Sequence, residues 1–387
     1  MTNPFERVPL AQLQQRTSIK WRFFEPDVLP MWVAEMDVLP AEAITRAVHD
    51  AMLRGDTGYP SGTGYAEAFG RFADARWGVG LDVARTALVS DVMMGAFELI
   101  RMLTPPGGAV IVASPVYPPF HAYSRHAERA VVEAPLGADL RLDLDALDAA
   151  CAAHPGAVFL LCNPHNPTGT VHTRDELERV AELTARHGVR VISDEVHAPL
   201  LFDADFTPYW SVDPRGFSIT SASKAWNLAG LRTALIVGGA ETGADLAGVA
   251  EVVSHGPSHL ASIAHVAAFD EGRDWLDEVL AGLRENRALL ATALAEHAPT
   301  IRWQPGEATF LAWLDCRGTR VADPGSRADA GYIGLSPGPA KAFLELARVG
   351  LSAGEAFGTG GENHVRFNLG TRPDVIEEAV RRMGAVA

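Results

Sequence analysis

The chain has 387 residues, of which 48% are hydrophobic and 21% are charged. This balance is that of an ordinary globular protein and excludes wholesale disorder. A formal net charge of -15 argues against a nucleic-acid-binding surface, because phosphate backbones need clustered cations. No apolar run approaches the ~20 residues that a membrane span needs, so no membrane partner is expected.

The cysteines indicate the compartment. Cys151, Cys162 and Cys316 are widely spaced and form no CxxC pair, which is typical of buried thiols in a reducing environment. The N-terminal residues contain no apolar stretch of the kind found in a secretory signal. A cytoplasmic location is therefore predicted.

Taken in chain order, short apolar runs alternate with helical patterns through the middle of the chain. The predicted strands are Ala109–Ala113, Ala157–Cys162, Val189–Ser193, Phe217–Ser221 and Thr233–Val237. Continuous β-branched runs of this kind favour strands buried on both faces of a parallel sheet. Between two of them, Thr173 and Glu176 form a potential capping box at the start of a helix that Gly188 can end. Strand, helix and strand in this order indicate a right-handed βαβ unit.

The last third of the chain has a different pattern. Three predicted helices surround short strands; the helices are Trp275–His297, Pro339–Arg348 and Asp374–Arg382, and the strands include Thr309–Leu314 and Val365–Leu369. We therefore predict an α/β protein with a large domain at 46–275 and a smaller α+β domain at 276–387. The N-terminal segment 1–45 is expected to pack on the smaller domain.

Chemically reactive side chains follow the predicted strands. In an open parallel sheet, ligands bind beyond the carboxyl ends of the strands, so these side chains are expected to meet at one edge. The residues in question are Tyr117, Asn166, Asp194, His197, Ser221, Ser223 and Lys224. Lysine is rare here, with only Lys20, Lys224 and Lys341 in the whole chain.

This set suits pyridoxal 5'-phosphate, which needs a lysine amine and a carboxylate that keeps its ring nitrogen protonated. Lys224 can supply the amine and Asp194 the carboxylate. Asn166 and His197 can bond the ring oxygen, and Tyr117 can stack on the ring. For the phosphate, the candidates are Ser221, Ser223, Arg232 and the free N–H groups at Val92 and Met93, where a helix is predicted to begin.

Several motifs resemble the class I/II aminotransferases, the fold-type I enzymes that use pyridoxal phosphate. Ser221–Arg232 (SASKAWNLAGLR) is similar to their lysine segment, and Asn166–Gly169 (NPTG) and the Asp194 strand end match as well. His364–Gly370 (HVRFNLG) resembles their carboxylate-binding arginine segment. The resemblance extends over nearly the whole chain. It implies an α/β fold with a mostly parallel central sheet flanked by helices, plus a smaller α+β domain.

A narrower resemblance is to the cystathionine β-lyase branch, the MalY/PatB type of C–S lyase. It rests on Met31–Asp37 (MWVAEMD), Asp194–His197 (DEVH) and Lys224–Leu231 (KAWNLAGL). The resemblance implies a homodimer with shared active sites, in which Tyr59 reaches the phosphate of the neighbouring subunit. It also implies that Arg366 binds the substrate α-carboxylate, and Trp32 is expected to line the substrate entrance.

The chain departs from the family pattern at a few positions. The family more often has aspartate at Glu35, phenylalanine at Val38, glycine at Asp91 and proline at Ala353. The segment 317–336 is longer and richer in glycine and proline than usual. In the family this segment borders the substrate pocket.

The resemblance implies α,β-elimination of L-cystathionine or a related cysteine S-conjugate to pyruvate, ammonia and a thiol. Lys224 and Asp194 would be the catalytic residues, and the thiol from cystathionine would be homocysteine. An alternative for the same site is an aminotransferase that passes an amino group to a 2-oxo acid. A third hypothesis is a regulator that keeps the fold without turnover; it would be marked by loss of Lys224, Asp194 or Arg366, and all three are present.

Other interpretations of these residues have less support. Asp194, Glu195 and His197 could be imagined as metal ligands, but adjacent strand residues point opposite ways and no HExxH motif is present, so no metal is predicted. Ser221-x-x-Lys224 fits the SxxK pattern of penicillin-recognising enzymes, whose SDN and KTG motifs are absent. Gly62-Thr63-Gly64 lacks the third glycine of a dinucleotide fingerprint. Taken alone, Asp194 could also be a helix cap and His197 a structural histidine.

Overall fold

The structure is a computed structural model that describes residues 3–249, 253, 255–323 and 338–387. Most of the segment 317–336 therefore lies outside the described residues. Strands β1 to β13 are Leu29–Pro30, Thr86–Val89, Ala109–Val112, Ala130–Glu133, Val158–Cys162, Arg190–Asp194, Phe217–Thr220, Ala234–Gly238, Arg302–Trp303, Leu311–Asp315, Val349–Gly350, Ser352–Ala353 and His364–Asn368. The α-helices are Leu10–Leu13, Ile19–Arg22, Glu42–Arg54, Gly64–Trp77, Val92–Leu103, Pro119–His126, Leu144–Ala153, Arg174–Arg186, Gly243–Ala247, His259–Glu271, Arg273–His297, Pro339–Ala342 and Pro373–Gly384. In the part of the chain described here, no helix is long and apolar enough to cross a membrane.

Seven of the described strands form the central sheet, in the order β2-β8-β7-β6-β5-β3-β4. The neighbours from β7 to β4 all pair in parallel. The apolar side chains of β3, β5, β6 and β7 are buried, as their continuous hydrophobic runs predicted. Helices pack on both faces, which gives an α/β architecture.

One predicted strand runs in the opposite direction to that expected. The sequence placed Thr233–Val237 in a parallel sheet, but β8 (Ala234–Gly238) is antiparallel to both β7 and β2. The reason lies in the short connection from β7, which ends at Thr220. A parallel neighbour requires a crossover, usually a helix, whereas residues 221–233 form turns.

Two strands of the central sheet were not predicted from the sequence. Both lie at the edges of the sheet: β2 (Thr86–Val89) pairs on one side only with β8, and β4 (Ala130–Glu133) pairs only with β3. Each has four residues and is mostly half-buried. Short edge strands lack the long apolar run by which the central strands were identified.

The βαβ unit is confirmed. Thr173 Oγ1 accepts from the N–H of Glu176 at 3.3 Å, and Glu176 Oε2 accepts from the N–H of Thr173 at 2.7 Å, which completes the predicted capping box. Leu177 and Val180 are buried on the inner face of the helix Arg174–Arg186. The strands on either side, β5 and β6, pair in parallel.

The C-terminal part forms a second, antiparallel sheet with the order β12-β13-β10-β9. Its strands are covered by the helices Arg273–His297 and Pro373–Gly384. The helix predicted at Pro339–Arg348 is shorter: it ends at Ala342 and continues as one π-helical turn, Phe343–Ala347. Arg348 then has a φ of +55°, which turns the chain so that β11 can pair with β1.

The N-terminal segment contacts the C-terminal part through backbone pairing and through side chains. Strand β1 pairs in parallel with β11, and the Asn3 side chain donates to Glu285 at 2.9 Å. The packing of this segment on a smaller domain stays a prediction. The domain limits 1–45, 46–275 and 276–387 stay predictions.

Candidate active site

A cavity of about 340 Å³ lies at the carboxyl ends of the parallel strands. Strand β6 ends at Asp194, and the loops after β3, β5 and β7 contribute the other groups. The cavity lining includes all but one of the predicted site residues, namely Trp32, Val92, Met93, Tyr117, Asn166, Asp194, His197, Ser221, Ser223, Lys224, Arg232 and Arg366. The side chains expected to meet beyond the strand ends therefore lie in one cavity.

Lys224 lies in a series of turns whose backbone is tied to the N-terminal segment. Its Nζ donates to the carbonyl of Ala34 at 3.2 Å. Asn227 has a φ of +56°, a conformation that asparagine tolerates better than most residues. Its side chain accepts from the N–H of Met36 and donates to the carbonyl of Met36, each at 2.7 Å. Burial, together with the nearby Arg366 charge, lowers the pKa of Lys224 to about 8.

Asp194 and Glu195 face different surroundings, as expected for adjacent strand residues. Asp194 lines the cavity and accepts from the N–H of Val196 at 3.1 Å. Burial raises the pKa of Asp194 to about 6, although Val196 and Lys224 oppose the shift. Glu195 instead accepts from Ser218 Oγ and from the N–H of Tyr209, each at 2.7 Å. Its pKa is raised to about 8 by burial, so Glu195 is a neutral structural acid.

Arg366 projects from β13 into the other side of the cavity. One guanidinium nitrogen donates to Asn166 Oδ1 at 3.1 Å, and the other donates to the Trp32 carbonyl at 3.0 Å and to Ser352 Oγ at 3.2 Å. Its guanidinium carbon lies 5.2 Å from the centre of the Phe357 ring, within the range of a cation–π contact. These contacts orient the planar fork that a carboxylate can bind in a bidentate manner.

His197 is a neutral imidazole beside these cations. Burial first, and then the charges of Lys224 and Arg366, lower the pKa of His197 to about 3. Among the residues that the structure describes, its Nδ1 has no hydrogen-bond partner. A buried ring nitrogen without a partner, in the wall of a cavity, points to a polar ligand group.

The opposite end of the cavity carries anion-binding groups. Val92 and Met93 begin the helix Val92–Leu103, and Asp91 precedes them as the N-cap. Asp91 Oδ2 forms an ion pair with Arg232 at 2.8 Å. Ser221 Oγ accepts from the N–H of Ser223 at 3.2 Å and donates to the carbonyl of Thr233 at 2.8 Å, which fixes this corner.

Tyr59 is the one predicted site residue outside this cavity. Tyr59 is 83% exposed. This exposure leaves it accessible to a neighbouring subunit, where the resemblance assigns its contact.

The sequence analysis missed part of the cavity wall. The additional lining residues are Ile19, Val33, Ala34, Asp91, Pro118, Pro119, Cys162, Val196, Ala229, Thr233, Ser352, Ala353, Ala356 and Phe357. Val33 and Ala34 lie in the quoted MWVAEMD motif, so a signal for them was present. Ser352 and Phe357 come from the C-terminal part, whose approach to the cavity depends on packing between distant elements.

The site fits pyridoxal phosphate on these observations. Lys224 is a buried amine with a lowered pKa, and Asp194 is a buried carboxyl in the cavity wall. The buried Nδ1 of His197 has no hydrogen-bond partner among the described residues. A helix N-terminus, Arg232 and Arg366 line the same cavity. Fold and site together define a pyridoxal-phosphate enzyme of fold type I.

Comparison with known proteins agrees with this class. The model of the aminotransferase class I and II family matches residues 26–383, and the chain belongs to this family. A cystathionine beta-lyase of Corynebacterium glutamicum is 32% identical over 97% of this chain and 98% of that protein. A protein of Mycobacterium leprae, provisionally named a cystathionine beta-lyase, is 52% identical over 99% of this chain and 98% of that protein.

A crystal structure shows the same fold. The protein in that structure comes from Corynebacterium diphtheriae and is provisionally named a PLP-dependent beta-cystathionase. The TM-score is 0.89, and the sequence identity is 32% over 98% of each chain. The predicted fold class, cofactor and C–S lyase branch are thereby confirmed. The roles of the individual site residues stay predictions.

Proposed function

We propose that this chain is a pyridoxal-phosphate-dependent C–S β-lyase that cleaves L-cystathionine or a related cysteine S-conjugate to pyruvate, ammonia and a thiol. The observation that carries the proposal is the convergence of Lys224, Asp194 and Arg366 on one cavity. The chain also belongs to a family in which relatives covering nearly its whole length are named cystathionine beta-lyases.

When bound, the cofactor supplies a protonated ring that accepts the electrons released at the substrate Cα. Arg366 binds the substrate carboxylate and fixes the direction of the Cα–H bond. Lys224 Nζ takes the proton from Cα, a role favoured by a pKa of about 8 because an amine poised near neutral pH is an efficient base. Asp194 pairs with the ring nitrogen and keeps it protonated. The Cβ–S bond then breaks and sulfur leaves as a thiolate, which takes a proton to give the free thiol. The remaining three-carbon enamine, once released, tautomerises to an imine and takes up one water to give pyruvate and ammonia.

The deciding experiment is pyruvate release from L-cystathionine by the cofactor-loaded protein with no 2-oxo acid added. Sustained release over many turnovers is expected. A single turnover that converts the cofactor to its pyridoxamine form, without pyruvate, would instead identify an aminotransferase.

Two variants connect this assay to the site. Lys224→Ala is expected to abolish both turnover and the visible absorbance of the lysine-bound cofactor. Lys341→Ala is the matched control, because this lysine is half-exposed and lies on a surface helix with Glu345 as its neighbour. Retention of both signals by Lys224→Ala would sink the assignment.

We further propose that the enzyme is a cytoplasmic homodimer with shared active sites. Met52 and Leu53 are 54% and 74% exposed, close in the chain to the exposed Tyr59. Apolar side chains left uncovered in this way favour contact with another protein surface. All three cysteines are buried and unpaired, which is in keeping with a reducing compartment.

A further inference from the structure

Asp91 occupies an unusual position at the anion-binding end of the cavity. Its Oδ1 accepts from the N–H of Met94 at 2.9 Å and so caps the helix Val92–Leu103. Its Oδ2 pairs with Arg232 at 2.8 Å. A single carboxylate thus contacts both the helix N-terminus and the cation that we assign to the cofactor phosphate.

This carboxylate and a bound phosphate have the same sign of charge. Asp91 lines the cavity together with Val92, Met93 and Arg232, so an anion held by the first N–H groups of the helix lies next to it. A phosphate monoester carries a charge of about -1.5 to -2 near pH 7. The Asp91 side chain is only 18% exposed, so water screens the repulsion incompletely.

Arg232 is differently placed. Its side chain is 63% exposed, so it can turn from Asp91 to another anion. Asp91 would then still accept a hydrogen bond from the N–H of Met94. The ion pair is therefore replaceable, while the repulsion between carboxylate and phosphate persists in the loaded enzyme.

We propose that Asp91 sets the affinity for the cofactor: its charge repels the phosphate, and its ion pair with Arg232 competes with the phosphate for that cation. It acts on the phosphate and leaves the ring contacts of Asp194 and Lys224 unaffected. The inference rests on the proposed assignment of this end of the cavity to the phosphate.

The test compares two aspartate-to-asparagine variants. Asp91→Asn keeps a side-chain oxygen that can cap the helix and removes the charge. Asp82→Asn is the matched control: Asp82 is also an N-cap, accepts from the N–H of Ala84 at 3.0 Å and pairs with Arg85 at 3.4 Å, but it does not line the cavity.

The measured quantity is the dissociation constant of the cofactor-free protein for pyridoxal 5'-phosphate and for pyridoxal, which lacks the phosphate, by absorbance titration. Asp91→Asn is expected to bind pyridoxal phosphate at least about fivefold more tightly, since a like charge at contact distance has this effect even in bulk water. Its affinity for pyridoxal is expected to equal that of the unmodified protein. The gain should shrink as salt is added, and Asp82→Asn should change neither constant.

Unchanged or weaker binding of pyridoxal phosphate by Asp91→Asn, or an equal gain for pyridoxal, would overturn the inference. Arg232→Gln in the same titration separates this failure from failure of the phosphate site. If Arg232→Gln leaves the preference for pyridoxal phosphate over pyridoxal intact, the phosphate assignment itself is wrong. If it lowers the preference while Asp91→Asn does not raise it, only the role of Asp91 is refuted.

Discussion

At the residue scale, the site combines an amine and a carboxyl whose pKa values are shifted toward each other. The pKa of Lys224 is lowered to about 8 and that of Asp194 is raised to about 6, and burial is the largest cause of both shifts. A low-dielectric cavity disfavours the charged form of either group. Such a cavity therefore makes the amine available as a nucleophile near neutral pH. It also means that a cationic partner, such as a protonated ring nitrogen, would stabilise the charged form of the carboxyl.

The shifted pKa of Lys224 predicts how cofactor capture depends on pH. Only the neutral amine attacks the cofactor aldehyde, so the capture rate of the cofactor-free protein should rise about tenfold per pH unit below the pKa and level off above it. The expected midpoint is near pH 8, well below the ordinary lysine value of 10.5. Stopped-flow absorbance after mixing with pyridoxal phosphate measures this. A rate that still rises between pH 9 and 10 would contradict the lowered pKa.

Arg366 gives a second prediction at this scale. Arg366→Ala should raise KM by about 10- to 100-fold, because a hydrogen-bonded charge pair to the substrate carboxylate is lost. The cofactor should remain bound with its visible absorbance unchanged. Arg381→Ala, which removes an exposed arginine paired with Glu378 on a surface helix, is the control in the same kinetic assay. Loss of the cofactor from Arg366→Ala would show that this residue does not act mainly on substrate.

At the scale of elements, the segment Met31–Asp37 connects the N-terminal part of the chain to Lys224 and Arg366. The carbonyls of Trp32 and Ala34 accept from Arg366 and Lys224. The segment is anchored at its far end, where Asp37 accepts from Lys20 at 2.7 Å and from Trp21 at 2.8 Å. Lys20 and Asp37 are both 1% exposed, so this is a buried ion pair.

This anchor should contribute to stability. Lys20→Met leaves the buried Asp37 with the Trp21 N–H and with Arg16, at 3.7 Å, as the nearest remaining cation among the described residues. We expect a loss of about 3 kcal/mol in the free energy of unfolding. Urea denaturation measures it, with Lys341→Met as the surface control. The double variant Lys20→Met, Asp37→Asn should recover part of the loss, because the uncompensated charge is gone. A single variant as stable as the control would show that the pair does not stabilise the fold.

The same scale shows why sequence reasoning succeeded for some elements and failed for others. Strands such as β5 and β6 are continuous apolar runs, and the groups at their ends follow from the direction of a parallel sheet. The direction of β8 depends on the connection after Thr220 rather than on its own residues, so composition could not reveal it. Ser352 and Phe357 reach the cavity through the packing of the second sheet, which no local pattern encodes.

At the scale of the whole molecule, the cavity is built by both sheets. Asp194 ends β6 and Lys224 follows β7 in the central sheet, whereas Arg366 lies on β13 of the C-terminal sheet. The two sets meet because the N-terminal segment contacts both, and the Met31–Asp37 carbonyls accept from each. A change in the relative position of the two sheets would therefore separate Arg366, the proposed substrate carboxylate site, from the proposed cofactor site at Lys224 and Asp194.

The proposed sharing of active sites between subunits gives the prediction that depends on the assembly. Lys224→Ala alone should be inactive. The exposed Tyr59 side chain is assigned to the phosphate of the cofactor in the neighbouring subunit, so Tyr59→Ala should bind the cofactor more weakly. In a mixed dimer of the two variants, one site has both Lys224 and the Tyr59 of the other chain. Mixing and reassembling the variants at a subsaturating cofactor concentration should therefore restore activity to about a quarter of the unmodified level, since half of the randomly formed dimers carry one complete site. If the activity of the mixture is only the average of the two variants' activities, Tyr59 does not act across a subunit interface. A mass corresponding to a single chain in light scattering would exclude the dimer itself.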